Sequence, residues 1–359
     1  GSVGTSPFFT PLFAHALMYL QSISHAVPTP SFTQVESWEA LKGSPVFEGL
    51  RKRSQQLLEK ILLGRNGIEK RHLATDRIED LFSLDAESLN KNFETEAPKL
   101  AEAALHKALA KAGISAQELD ALFICTCSGY LCPGVSSYVA EHIGLPKHSY
   151  LQDVVGLGCG AGIPTLRSAQ GFLATQPEAT VACIAVEVCS AAFYIDDDPG
   201  VLISASLFGD AASASIWTGQ ANTAPYRMEA FDTIHIPESR ESLRFTNRGG
   251  KLRNQLYRSV PEIAAKAVSE LQQRATLPDN TEIAAHVGGR DVLVALESAL
   301  DCPRLAASWE TLAQYGNTSS PSVLIATEKI LEQKPNAERI WLTSFGAGFA
   351  AHACQLVQT

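Results

Sequence analysis

Two segments of this chain are built alike. Gly158-Cys-Gly-Ala-Gly-Ile-Pro-Thr-Leu166 and Gly316-Asn-Thr-Ser-Ser-Pro-Ser-Val-Leu324 each run from a glycine-led turn into an apolar helix start. At the matching position one carries Cys159 and the other Asn317. A cysteine there is poised for nucleophilic chemistry. The unpaired N–H groups and positive dipole end of a helix favour the thiolate, so a lowered thiol pKa is expected. The same N–H groups can receive an oxyanion. His286 closes the apolar run Ile283-Ala-Ala-His286 and precedes Val287-Gly-Gly289. An imidazole N–H and an amide NH2 both donate, so His286 and Asn317 together could hold a developing enolate oxygen.

The residues alone leave other readings open. Cysteine, histidine and asparagine in this order also serve papain-like hydrolysis, where the asparagine orients the histidine. Taken singly, Cys159 reads equally as a buried thiol, His286 as a strand-end histidine and Asn317 as a turn residue. The matched placement of Cys159 and Asn317 moves the balance toward catalysis.

The elements that must position these residues recur in the same order. Ala121-Leu-Phe-Ile-Cys-Thr-Cys127 precedes Cys159 as a strand-like run, and Ile283 to His286 precedes Asn317. Thr180 to Val188 follows Cys159 as a β-branched, uninterrupted apolar strand, and Arg339-Ile-Trp-Leu-Thr343 follows Asn317. Phe208 to Ile216 then matches Phe345 to Ala353. The period is too long for a solenoid and predicts two α/β halves, each alternating strand and helix around a buried sheet. The halves are placed at 18–222, with the cysteine, and 223–359, with the histidine and asparagine. A helix is expected over 48–70 and another over 96–112, capped by Gly113; 221–253 reads as a polar, irregular connection. Gly1 to Leu17 is apolar and aromatic without a positive n-region, so it is read as an extension foreign to the native chain, which would begin at Met18.

The composition suits a buried globular enzyme. Of 359 residues, 45% are hydrophobic and 19% charged, enough for two or three domains' worth of core. A net charge of −9 argues against nucleic acid as a partner, and no run approaches a membrane span. Eight cysteines, mostly in apolar runs, read as reduced thiols of a cytoplasmic protein. Cys127, Cys132, His142 and His148 have spacing too short for a zinc finger, and no metal is expected.

At this point the sequence resembles a known family. Leu157-Gly-Cys-Gly-Ala-Gly162, His286-Val-Gly-Gly289, Tyr315-Gly-Asn-Thr-Ser-Ser320, Leu207-Phe-Gly-Asp210 and Phe345-Gly-Ala-Gly348 look like the condensing enzymes of the thiolase superfamily. The nearest likeness is to the type III polyketide synthases, the chalcone-synthase-like group, with ketoacyl synthase III next. The resemblance covers nearly all of Met18 to Val357. It implies an α/β thiolase fold with a duplicated, five-layered αβαβα core and a homodimer. It implies a ketosynthase in bacterial polyketide or α-pyrone biosynthesis, with Cys159, His286 and Asn317 catalytic. Cys159 would carry the acyl chain while His286 and Asn317 hold the enolate for a Claisen condensation. No tightly bound cofactor is implied; the substrate rides on coenzyme A or a phosphopantetheine arm. Phe208 matches the family's gatekeeper, Gly346 and Gly348 its cavity-floor loop, and Cys132 the residue that crosses into the partner's cavity.

The departures shape further expectations. Of three basic residues that hold coenzyme A phosphates in the family, only Arg65 has a counterpart; the others fall on Leu58 and Ile61. The cavity threonines of the plant enzymes fall on Cys127, Cys189 and Ala192, and their second aromatic gatekeeper falls at or beside Asn254. A cavity wider than theirs and a product other than a flavonoid are therefore expected. The basic stretch Arg240 to Arg258, with Arg248, Lys251 and Arg253, suits an acidic acyl carrier protein. The extender is either malonyl-type or a second β-ketoacyl chain, joined to the first as an α-pyrone. Fatty-acid initiation of the ketoacyl synthase III kind, acyl transfer to an alcohol or amine, and a non-catalytic scaffold are the competing readings.

Overall fold

Uninterrupted apolar runs become the central strands, and the small-residue runs become the helices packed on them. The computed structural model describes residues 17–82, 85–300, 302 and 304–359. The expected N-terminal extension therefore lies, but for Leu17, outside the described residues.

The chain opens with β1 (Met18–Ala26) and a short β2 (Ser31–Thr33). Helices α1 (Gln34–Lys42), α2 (Pro45–Glu48) and α3 (Lys52–Leu62) follow, and then β3 (Lys70–His72), which pairs with β2. Of the helix expected over 48–70 only Glu48, the end of α2, and Lys52–Leu62 are helical, and Lys70 already belongs to β3. Gly49 stops α2, and Arg51, extended at φ −61° and ψ 147°, interrupts the path. Next comes α4 (Ala86–Ala112), which starts ten residues before the expected 96 because Asp85 accepts from Ser88 N–H at 2.7 Å and caps it there. Gly113 closes it in the left-handed region at φ 71°.

The first half continues through β4 (Ala121–Cys125), α5 (Val135–His142), β5 (Tyr150–Val154), α6 (Gly162–Thr175), β6 (Thr180–Glu187), α7 (Pro199–Leu207) and β7 (Ala211–Thr218). The second half begins with β8 (Tyr226–His235) and the hairpin of β9 (Leu243–Arg248) and β10 (Lys251–Leu256). The segment expected to be irregular is therefore a sheet strand and a hairpin. Its side chains are mostly only half-covered, which is why it reads as polar. Then follow α8 (Val260–Arg274), β11 (Glu282–Ala285), α9 (Arg290–Ala299), α10 (Ala306–Tyr315), α11 (Ser322–Gln333), β12 (Arg339–Gly346) and β13 (Ala350–Gln358).

The duplication is visible in the pairing. In the first half β4 runs parallel to β6, β6 antiparallel to β7, and β7 antiparallel to β1. In the second, β11 runs parallel to β12, β12 antiparallel to β13, and β13 antiparallel to β8. β1 and β8 pair over three residues and join the halves into one order, β11-β12-β13-β8-β1-β7-β6-β4-β5. α4 covers the outer face of the first half and α8 that of the second, while α6 and α11 lie between the two sets of strands. This is the expected duplicated α/β layering. It brings the starts of α6 and α11, and hence Cys159 and Asn317, to the middle of the molecule.

Candidate active site

Cys159 occupies a tight turn, Gly158–Gly160, just before α6. Gly346, at the end of β12, backs onto that turn. A Cβ at 346 would lie 2.5 Å from Gly160 N and 2.9 Å from Cys159 N, so only glycine permits the approach. Asn317 sits between α10 and α11. Its N–H donates to Leu207 O at 2.9 Å, and its carbonyl accepts from Gly209 N–H at 3.0 Å, so the Leu-Phe-Gly-Asp segment grips it by the backbone. Gly316 takes φ 70°, and a Cβ there would meet Leu207 O at 2.6 Å. Beneath this, the buried Arg71 guanidinium donates to Ala205 O at 2.7 Å and Phe208 O at 2.9 Å, fixing the Phe208 backbone from behind.

Ser319 is the hub. Its hydroxyl donates to Cys159 Sγ at 3.2 Å and lies 3.2 Å from Cys127 Sγ. Its N–H donates to Asn317 Oδ1 at 2.8 Å, and its backbone hydrogen-bonds His286. One residue therefore contacts all three candidate catalytic side chains. Ser319 holds φ 61°, a left-handed backbone rare for a side-chain-bearing residue, and it is buried. Its one signal in the sequence was its place in the Gly316-to-Ser320 motif.

His286 presents its Nδ1 to Ser322 Oγ at 2.7 Å, and that oxygen accepts from Val287 N–H at 3.0 Å. When the serine proton goes to Nδ1, the ring's own proton sits on Nε2 as a donor. Burial pushes His286 down to about 3, so the ring stays neutral at working pH. Asn317 Nδ2 makes only a long bond, 3.3 Å, to Gly288 O, and can be taken up by a ligand oxygen.

The expectation of a lowered thiol pKa is not met. Burial pushes Cys159 up to about 12; the Ser319 hydroxyl pulls the other way, and the nearby Glu187 charge adds to the rise. Desolvation outweighs the Ser319 and backbone hydrogen bonds that favour the thiolate, although Cys159 is only half-buried. Ser319→Ala is accordingly expected to slow alkylation of Cys159 by iodoacetamide roughly two- to tenfold at fixed pH, the worth of one hydrogen bond to the thiolate. An unchanged rate would remove Ser319 from that role.

Glu187, at the end of β6, was also missed in the sequence. Its buried carboxylate accepts from Thr126 Oγ1, Cys127 N–H, Ser128 N–H and Oγ, and Ser320 Oγ. It ties the β4 end to the Ser319 turn.

Beside the hub lies a cavity of about 20 Å³, room for roughly one water. Five of the predicted substrate residues line it: Phe208, Cys127, Cys189, Ala192 and Asn254. Gly346 and Gly348 do not line it, and Cys132 is exposed. The expected wide cavity is not found. Phe193, Tyr194 and Phe245 fill the space that the small residues leave. The aromatic absent at Asn254 is supplied across the hairpin by Phe245, its direct partner in the β9–β10 register. Asn254 instead donates to Ser204 Oγ at 2.7 Å.

The predicted docking residues divide. Arg65 and Arg248 are exposed. Arg253 is ion-paired with Asp198, and Lys251 lies 5.1 Å over the Tyr194 ring. Arg240 and Arg244 both meet Glu241, so much of the expected basic patch is neutralised by its own neighbours. Leu58 is fully buried, so position 58 holds no phosphate. Among the described residues no group of acidic, His or Cys side chains is disposed to hold a metal, and no helix is long and apolar enough to cross a membrane.

Comparison with known proteins places this geometry. A profile of the family described as FAE1/Type III polyketide synthase-like protein matches residues 24–246. The 1,3,6,8-tetrahydroxynaphthalene synthase of Streptomyces peucetius subsp. caesius is 30% identical over 300 residues, 79% of each chain. The phloroglucinol synthase of Pseudomonas fluorescens is 24% identical over 305 residues, 82% of this chain and 87% of its own. The crystal structure of 1,3,6,8-tetrahydroxynaphthalene synthase from Streptomyces coelicolor superposes with a TM-score of 0.83 at 25% identity, covering 95% of this chain and 99% of that one.

Proposed function

The chain belongs to the FAE1/type III polyketide synthase-like family, and from that premise we propose that Cys159 takes an acyl group from a thioester while His286 and Asn317 hold the enolate that attacks it. The family makes it a condensing acyltransferase of polyketide biosynthesis with the thiolase fold. The observation that carries the residue assignment is the convergence of all three side chains on Ser319.

In loading, the Cys159 sulfur attacks the donor carbonyl, the donor thiol leaves, and the cysteine proton departs with it. A malonyl-type extender then loses CO2, and its enolate oxygen accepts from His286 Nε2–H and Asn317 Nδ2–H. A neutral histidine suits this role, since it donates without shedding a charge. The enolate carbon attacks the acyl carbonyl, the C–C bond forms, and the Cys159 thiolate leaves and is reprotonated. The two halves, 18–222 and 223–359, divide the work: one supplies the thiol, the other both donors. Incubation with malonyl and acyl thioesters, read by mass spectrometry, tests this. A product longer by one extender carbon pair supports it; acyl transfer without C–C bond formation overturns it.

We propose further that the donor arrives on a carrier protein rather than as free coenzyme A. Leu58 is buried and Ile61 half-buried, so neither offers a charge to nucleotide phosphates, and Arg65 and Arg248 remain exposed. Carrier thioesters should outperform coenzyme A thioesters, with the advantage shrinking as salt rises. Equal rates at every ionic strength would remove the carrier. A malonyl extender is favoured over a second β-ketoacyl chain, and so over an α-pyrone linking two chains, because a cavity of about 20 Å³ must open even for one chain. A homodimer is proposed through the edge strand β5, where Tyr150, Leu151 and the following Val155 are exposed, which would carry Cys132 toward the partner.

A further inference from the structure

A second cavity, of about 230 Å³, lies behind the Cys159 turn, and the condensation makes no use of it. Leu157, Ile163 and Phe231 form its apolar side; Arg167, Thr233 and His352 form the other. His352 stands on β13 and packs against the turn itself: its ring lies 3.2 Å from where a Cβ on Gly160 would be. It is only 6% exposed. Its Nδ1 faces Thr233 Oγ1 at 3.1 Å, while its Nε2 has no hydrogen-bond partner. When the threonine proton goes to Nδ1, the ring proton sits on Nε2 and points at nothing. A buried polar atom left this way bears its whole desolvation cost, and proteins rarely leave one so without a ligand or a water to meet it.

The charges nearby point to an acceptor ligand. Arg167 projects from α6, exposed, and forms no ion pair or hydrogen bond among the described residues. Asp232 also borders the cavity, but its carboxylate is held by Arg274 at 2.7 Å and by Thr233 N–H at 2.8 Å. Burial, with Arg167 and His235 nearby, pushes His352 down to about 4, so the ring is a neutral donor rather than a second cation. One free guanidinium and one free N–H therefore meet beside three apolar side chains.

We propose that this cavity is a binding site for a small monocarboxylate. Arg167 pairs with the charge, His352 Nε2–H donates to a carboxylate oxygen, and Leu157, Ile163 and Phe231 cover a short alkyl or aryl tail. The apolar half distinguishes the ligand from inorganic phosphate. Because Leu157 and His352 both touch the turn that carries Cys159, a bound acid would brace that turn from behind.

The test uses the full chain with butyrate, benzoate and inorganic phosphate as probes, followed by calorimetry and thermal shift. Butyrate and benzoate should bind saturably, at roughly millimolar affinity or tighter for ligands of this size, and raise Tm; phosphate should bind more weakly. Arg167→Met should weaken both acids roughly tenfold or more. His352→Gln, which keeps a donor, should bind better than His352→Phe. Alkylation of Cys159 by iodoacetamide should proceed in Arg167→Met as in the parent, separating this site from the catalytic one. Absence of saturable binding, unchanged affinity in Arg167→Met, or phosphate binding as tightly as butyrate each overturns the proposal.

Discussion

In the Cys159→Ala variant, incubation with an acyl thioester should leave the intact mass unchanged, where the parent gains one acyl group per chain. Condensation should fall by roughly 10⁴-fold or more, as when a covalent nucleophile is removed from its site. The result is informative because a second thiol stands close by. Cys127 Sγ shares the Ser319 hydroxyl with Cys159, each at 3.2 Å. Burial and the Glu187 charge hold the Cys127 thiol well above its ordinary pKa. Ser319 has one hydroxyl proton and gives it to Cys159, so Cys127 meets the Ser319 oxygen as a donor, while Cys159 additionally has the glycine-lined turn and its N–H groups. If Cys159→Ala still acquires an acyl group on Cys127, the assignment of the nucleophile is wrong.

His286→Ala and Asn317→Ala should each load the acyl group within a few-fold of the parent rate and then fail to condense. The lost donors act on the enolate, and removing one such donor costs on the order of a hundredfold or more. The double variant should lose less than the product of the two, since both act on one oxygen. Asn317→Ala also deprives Ser319 N–H of its acceptor. Asn317→Asp keeps Oδ1 for that bond and replaces the amide donor with a carboxylate, which also repels the enolate charge and should lower condensation further than the alanine does. Single-turnover acylation and steady-state condensation, measured on the same preparations, separate the two steps. Full-rate condensation by either alanine variant would end its enolate role.

Much of this was legible from residue order alone. The recurrence of strand, glycine turn and helix start around Cys159 and Asn317 foretold two equivalent halves, and the pairing of β4-β6-β7-β1 and β11-β12-β13-β8 has that form. Buried strands such as Thr180–Glu187 announced themselves as continuous apolar runs. The hairpin β9–β10 did not, because most of its side chains are only half-covered and its sequence is correspondingly polar. The long helix expected over 48–70 failed at both ends, at Gly49 and Arg51 and again at the C-cap Leu63, where local backbone geometry overrode the periodicity.

The sequence by itself determined the fold class, the family likeness and which three residues could do the chemistry, since each depends on residue types at short spacing. Only the tertiary structure decided what surrounds them. Ser319 joins Cys159, Cys127, His286 and Asn317 through contacts across up to 192 positions of sequence, which no local pattern encodes. The cavity closes because Phe193 and Tyr194 from the first half and Phe245 from the second-half hairpin sum their volumes in one place. The thiol of Cys159 is pushed up rather than down because its pKa follows desolvation by the whole enclosing shell, and that shell exists only once both halves have packed.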